Sequence, residues 1–417
     1  AYTFPYTTVG EIMAWIIGWD LILEMLMAGS VISKYWGVYL NDFMRLMGWN
    51  ANTNLTFGSF HIDIAPIIIV AFFTTLLVFG TKIGARVDGA MTVLKIAIVF
   101  FVVIVGFFYV KASNFTPFIP PSQPASTVEG SSAVTGVMTQ PLWQFATGMT
   151  PSVYGVPGIL SGAALVFFAF IGFDVVATAS EETKNPHKNV PLGIGVGMLL
   201  IIVMYMLVAV VTTGMVSYAD LAKQDSPSLA TAFELVGADW AAKIISFGIV
   251  LGLATVVMVL LLGLTRIVFA MSRDGLLPRG LSKTGKHGTP AALQIVVGAA
   301  VAPVAAFFDI GVLSDMVNIG TLSAFTLVAI SIPIMRKKRP DLPRAFKMPG
   351  SPWIPILIAV ANFWLMLNLS VLTWIRFVVW LVVGFAIYFG YGYWHARLGK
   401  GDLTETLSAE TDKAVNG

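Results

Sequence analysis

The chain has 417 residues, 57% apolar and only 11% charged, with mean hydropathy +0.83 and a net charge of +3. A soluble domain carries about a quarter charged residues, so the length reads as one helical bundle in lipid rather than as two or three water-soluble domains. So small a net charge leaves no basic field for nucleic acid, and the lack of cysteine excludes disulfides, thiolate metal sites and cysteine nucleophiles.

The opening residues, AYTFPYTTVGE, form neither a signal peptide nor a natural start and are read as a truncated N-terminus. A membrane-spanning helix needs roughly 20 mainly apolar residues. In chain order that window predicts helices at Glu11–Ser33, Ile62–Gly80, Met91–Tyr109, Leu160–Ser180, Leu192–Val216, Ala241–Met271, Leu293–Phe308, Val312–Met335, Trp353–Leu372 and Trp374–Tyr393. The seventh and eighth are joined by a very short Phe308–Gly311 connection, which also fits a hairpin dipping outward. Strands fail for these segments, because open sheet edges leave backbone groups unsatisfied in hydrocarbon and no ten-residue alternation of a barrel is present. Residues Ala112–Pro157, rich in Pro, Ser, Thr and Gly, read as an irregular outer loop.

One set of alternate loops holds Lys82, Arg86, Lys184, Lys188, the Arg266–Lys286 and Arg336–Lys347 stretches and the tail. The other holds only Lys34, Arg45, Lys111, Lys223, Lys243 and Arg376. Loops rich in Lys and Arg stay cytoplasmic, so both visible ends are expected inside, as an even number of spans requires.

Charge at membrane depth costs about 2.5–3.5 kcal/mol on insertion scales, so each instance calls for a reason. Asp20 and Glu24, in GWDLILEM, are four apart and share one helix face. They read either as a cavity-facing pair meeting an amine or proton, or as a structural pair bonded to neighbouring helices. Lys95, in MTVLKIAIVFF, reads either as a lysine snorkelling to the cytoplasmic interface or as a cation fixed inside the bundle. Asp174 follows FFAFIGF, where Gly172 interrupts a bulky aromatic run. Glycine costs roughly 1 kcal/mol against alanine inside a helix. This pattern fits a broken helix with backbone groups freed for a solute, or a simple kink with aromatics facing lipid.

These residues resemble the amino acid–polyamine–organocation superfamily, and within it bacterial permeases related to cationic amino-acid transporters. The resemblance runs through Gly18-Trp19-Asp20-Leu21-Ile22-Leu23-Glu24, Phe167 to Asp174 with Glu181-Glu182 and Asn185-Pro186, and Thr265-Arg266 with Ser272 to Pro278. It continues through Asn318-Ile319-Gly320-Thr321-Leu322 and Arg339 to Leu342 with Arg344-Ala345-Phe346. It implies an all-α integral membrane protein of the five-plus-five inverted-repeat transporter fold, followed by two C-terminal helices. Ten of twelve spans, the third to the twelfth, would then be present. Residues 1–396 would form the permease domain and 397–417 a cytoplasmic tail, in a multi-pass protein of the plasma or inner membrane.

The resemblance also implies a site. Carbonyls near Phe168, Ala169, Phe170, Ile171 and Gly172 would receive the substrate amino group, and Leu260 would line an apolar side-chain pocket. Lys95 would stand where a sodium ion sits in sodium-dependent relatives, near a hydroxyl for which Thr255 is the candidate. Glu24, Asp174 and Asp20 would be cavity acids. The third span reads Glu24-Met25 where relatives often have Glu-Tyr. The function implied is secondary active transport of amino acids by alternating access, driven by protons or exchange and independent of sodium, with a polyamine or other organic amine as the alternative cargo. The expected partners are an amino acid, a proton and membrane lipid, with no cofactor and no nucleic acid; the oligomeric state stays open. No Gly-rich loop with Lys-Ser/Thr supports ATP drive. His61, His187, His287 and His395 lie apart in loops or tail, against an intramembrane metalloenzyme, and no filter-like motif supports a channel.

Overall fold

The computed structural model describes residues 11–49, 53–57, 60–80, 85–127, 136–172, 185–224, 227–285, 289–338, 348 and 350–396. Helices dominate, as the apolar windows require, and ten of them fall on the ten predicted segments. Among the described residues, six are long and apolar enough to cross a membrane: α1 (Glu11–Leu46), α3 (Ala85–Phe107), α6 (Pro186–Met215), α9 (Asp239–Arg273), α11 (Ile310–Lys338) and α13 (Val371–Ile387). Four shorter apolar helices occupy the other segments: α2 (Ile64–Val78), α5 (Gly155–Val166), α10 (Ala291–Phe307) and α12 (Trp353–Leu367). Three short helices, α4 (Leu142–Thr147), α7 (Tyr218–Ala222) and α8 (Leu229–Leu235), lie in the connections.

The central element is α1, which packs along α9, α11, α10 and α2. At 36 residues it is about 54 Å long, well beyond the predicted end at Ser33. The sequence window stopped where apolar character stopped, but the helix continues as a polar extension. That extension is fastened by Lys34–Asp63 at 3.2 Å and by paired Asn41 and Thr53 side chains. It ends at Gly48, whose φ of +80° suits the left-handed residue that closes a helix. Asp63 closes the short hairpin β1 (Asn54–Phe57) and β2 (Phe60–Asp63), paired Asn54 to Asp63.

The outer face shows why the chain is so apolar. Along α6, Leu192, Val196, Leu199, Leu200, Val203, Met206 and Val210 are all exposed, as are Phe100, Ile104 and Phe107 on α3. Helices that carry apolar residues all round face hydrocarbon. Inside, Trp15, Trp19 and Trp380 form a stacked aromatic column with Tyr388 between α1 and the end of α13. Trp19 and Trp380 each donate an indole N–H to the other's backbone carbonyl, at 2.8 and 3.3 Å.

The predicted irregular outer loop is partly ordered. It contains a 3-10 turn at Ala112–Phe115, the two-residue ladder β3 (Gln123–Pro124) with β4 (Ser152–Val153), and α4. Val371 and Leu372 donate backbone N–H groups to Gln140 and Met138, so this loop is stitched to the turn between α12 and α13. The predicted Phe308–Gly311 connection is shorter still, since α10 ends at Phe307 and α11 begins at Ile310.

Candidate functional site

The predicted fourth span is interrupted, and it carries the expected substrate seat. The α-helix α5 stops at Val166, the chain tightens into a 3-10 turn over Phe167–Phe170, Ile171 is extended, and Gly172 has φ +106°. Such a φ is open to glycine and strained for the bulky residues around it. The α-helix thus gives way before Gly172. Asp174 and the rest of the segment to Ser180 lie outside the described residues.

The break is held from two sides. Asn318, fully buried on α11, donates its amide N–H to the Leu165 carbonyl at 3.1 Å, among the last carbonyls of α5. From α6, the Tyr205 hydroxyl donates to the Ala169 carbonyl at 2.5 Å, and its ring packs edge-on to Phe170. The Phe168 carbonyl accepts from the Ile171 N–H at 3.2 Å. The carbonyls of Phe168 and Ala169, expected to be free, therefore have intrachain donors here, because a tight turn and a facing tyrosine reach them. Sequence reading missed Tyr205 and Asn318. Asn318 stood in a quoted motif, but nothing in the pattern tied it to this turn.

Phe168 and Ile171 pack against the core cluster that contains Leu260, Met25 and Ala28. The same core cluster includes residues of α1 and α9. Leu260 is 5% exposed, and a side chain at Gly29 of α1 would touch its Cβ.

Asp20 and Glu24 are both fully buried on α1. Asp20 accepts a 2.7 Å hydrogen bond from the Ser323 hydroxyl of α11. Of the two readings left open for Asp20, the structure supplies the interhelical tie. Glu24 lies between Leu23 and Met25, which are fully buried themselves.

Lys95 is half-buried on α3, and its stem lies on α9. It lines a cavity of about 160 Å³ with Ile98, Val99, Val102, Val208, Leu229, Gly248, Gly252 and Val256 among its walls. One turn along α9, the Thr255 hydroxyl donates to the Gly252 carbonyl at 2.9 Å. Gly252 thus neighbours the Lys95 stem on one side, while its carbonyl takes an intrahelical bond from Thr255. The other named walls of this cavity are apolar. Among the described residues, no cluster of His, Cys, Asp and Glu has the makings of a metal site.

The sequence as a whole matches known proteins. Residues 1–392 match the family described as "Amino acid permease". The chain is 41% identical over 407 residues to the branched-chain amino acid permease BcaP of Bacillus subtilis (strain 168), an alignment covering 96% of this chain and 80% of that protein. It is 36% identical over 405 residues to the methylthioribose transporter of the same organism, again with 96% and 80% covered. It is 33% identical over 346 residues to the vacuolar cationic amino acid transporter 4 of Arabidopsis thaliana, covering 82% of this chain and 53% of that protein.

Proposed function

Because the chain belongs to the amino acid permease family, as a multi-pass membrane transporter and not an enzyme, we propose that it carries neutral, apolar amino acids by alternating access, driven by protons or exchange and not by sodium. The observation that carries this reading is the placement of Lys95. Its stem crosses α9 at Gly252, whose carbonyl holds the Thr255 hydroxyl, beside an otherwise apolar cavity. A fixed ammonium there would fill the electrostatic role of a bound cation. Sodium is then not required, which leaves protons or exchange.

The neutral cargo rests on two observations. The relative with 41% identity is named for branched-chain amino acids. Phe168 and Ile171 pack against an apolar core cluster that also contains Leu260, and the Asp20 carboxyl on α1 is engaged by Ser323. The substrate amino group would replace the Tyr205 hydroxyl at the Ala169 carbonyl, one donor exchanged for another. The carrier would sit in the plasma membrane with its basic loops and C-terminal tail inside. A second cargo is favoured by the 36% identity to the methylthioribose transporter: a neutral sugar thioether, which also needs no cationic pocket.

The test is uptake into proteoliposomes of labelled leucine, lysine, putrescine and methylthioribose, under an imposed proton or sodium gradient. Leucine uptake that follows the proton gradient and ignores sodium is expected. Sodium dependence would contradict the role of Lys95, and uptake confined to lysine or putrescine would overturn the neutral cargo.

A further inference from the structure

An α-helix continues while each carbonyl takes the N–H four residues on. For Leu165 that N–H belongs to Ala169, the residue whose carbonyl is the proposed seat of the substrate amino group. In this structure the Leu165 carbonyl accepts a side-chain N–H of Asn318, which reaches it from α11 at 3.1 Å. From there Phe167–Phe170 wind as a 3-10 turn, in which bonds span three residues. The donor that marks the end of α5 thus comes from another helix, 153 residues away in the chain.

Asn318 is presented from a fixed stretch of α11. Three residues before it, Asp315 accepts the Thr373 hydroxyl of α13 at 2.9 Å, and five after it Ser323 donates to Asp20 of α1 at 2.7 Å. Between them Gly320 lets α1 come close: a methyl there would stand 3.2 Å from Cδ2 of Leu23 and 3.4 Å from the Asp20 carbonyl oxygen. Phe325 adds a second contact to the turn, edge-on to Phe167 with ring centroids 6.1 Å apart. The amide itself is a costly choice. Asn318 is fully buried, its side-chain oxygen has no hydrogen-bond partner among the described residues, and Met316, Val317 and Ile319 beside it are apolar. A buried polar group left half-satisfied opposes folding, so the bond to Leu165 is what the amide contributes.

Resting on the transport reading above, we propose that Asn318 is the positioning residue of the substrate seat: by holding the Leu165 carbonyl it ends α5 ahead of Ala169 and leaves the Ala169 carbonyl open to a donor from outside the helix. The Tyr205 hydroxyl shows that an outside donor reaches that carbonyl. Asn318 touches no substrate in this account and acts through the backbone. With its donor removed, α5 winds on through Ala169, and the carbonyl swings toward the helix axis and away from the amino group.

The experiment measures, in proteoliposomes, how well leucine and isocaproate compete with labelled leucine for uptake by wild type, Asn318→Leu and Ser323→Ala. Isocaproate is the same skeleton without the amino group, and the ratio of the two does not depend on how much protein is folded. Wild type is expected to prefer leucine, and Asn318→Leu to lose about tenfold or more of that preference, the effect of one hydrogen bond to a charged group. Ser323→Ala, which releases a different tie of α11, keeps the wild-type preference. A wild-type preference in Asn318→Leu would overturn the positioning role and leave the seat standing. Equal competition by both compounds in the wild type would overturn the carbonyl seat, and the part of Asn318 with it. An equal loss of preference in Ser323→Ala would overturn the specific role and reduce Asn318 to general support of α11. Should Asn318→Leu fail to fold, Asn318→Ala removes the donor without adding bulk and gives the same ratio.

Discussion

The hydrogen bond between Ser323 and Asp20 joins α11 to the middle of α1 at a point with no access to water. A buried hydrogen bond contributes about 0.5–1.5 kcal/mol net, and leaving a buried acceptor unmade costs about 1–3 kcal/mol. Ser323→Ala is therefore expected to lower the thermal midpoint of the detergent-purified protein, and Asp20→Asn, which keeps an acceptor, to lower it less. An unchanged midpoint in Ser323→Ala would contradict the tie. Charges at this depth were easy to see in the sequence, since a carboxylate or an ammonium inside an apolar run has no other excuse. Their partners were not, because Ser323 lies 303 residues away and an isolated serine carries no pattern. The same holds for Gly252 and Tyr205. A glycine that accommodates a neighbour and a tyrosine that reaches a carbonyl become visible only once helices are side by side.

Among the elements, the C-terminal end of α1 is held by a polar clasp. Arg45 makes two 2.8 Å contacts to the carboxylate of Glu234 on α8, and Asp42 accepts from the Ser228 hydroxyl that caps the same helix. Leu229, the first residue of α8, lines the Lys95 cavity, so the clasp sets one of its walls. Arg45 is more than half exposed, which limits the pair to about 0.5–1 kcal/mol. Arg45→Glu combined with Glu234→Arg is expected to recover most of the stability that either single change loses, as read by a double-mutant cycle of thermal midpoints; strict additivity would argue against the clasp. The aromatic column makes a sharper demand. A side chain at Gly384 of α13 would overlap the Trp19 indole, so Gly384→Leu is expected to abolish folded expression, and normal yield of that variant would show the column to be dispensable. The helices themselves were legible from hydropathy alone, and their ends were not. The window ended the first helix at Ser33 because the apolar run ends there, whereas hydrogen bonding carries it to Leu46. It also ran through Val166, where Gly172 and the 3-10 turn break the chain.

For the whole molecule, composition fixed the solvent and motif order fixed the family, because both are properties of the entire chain and survive errors in any one boundary. Bundle geometry converts these into a candidate pathway: an interrupted helix pinned by Asn318 and Tyr205, an apolar neighbourhood around Leu260, and a lysine seated on α9. Such a set of elements suits a carrier that exposes its site to one side at a time, whereas a pore would pass solute with no memory of the far side. Counterflow separates the two. Proteoliposomes preloaded with unlabelled leucine are diluted into a trace of labelled leucine with no ion gradient. The account predicts a transient accumulation of label above equilibrium that is absent from vesicles lacking internal leucine; simple equilibration at the same rate in both would contradict it.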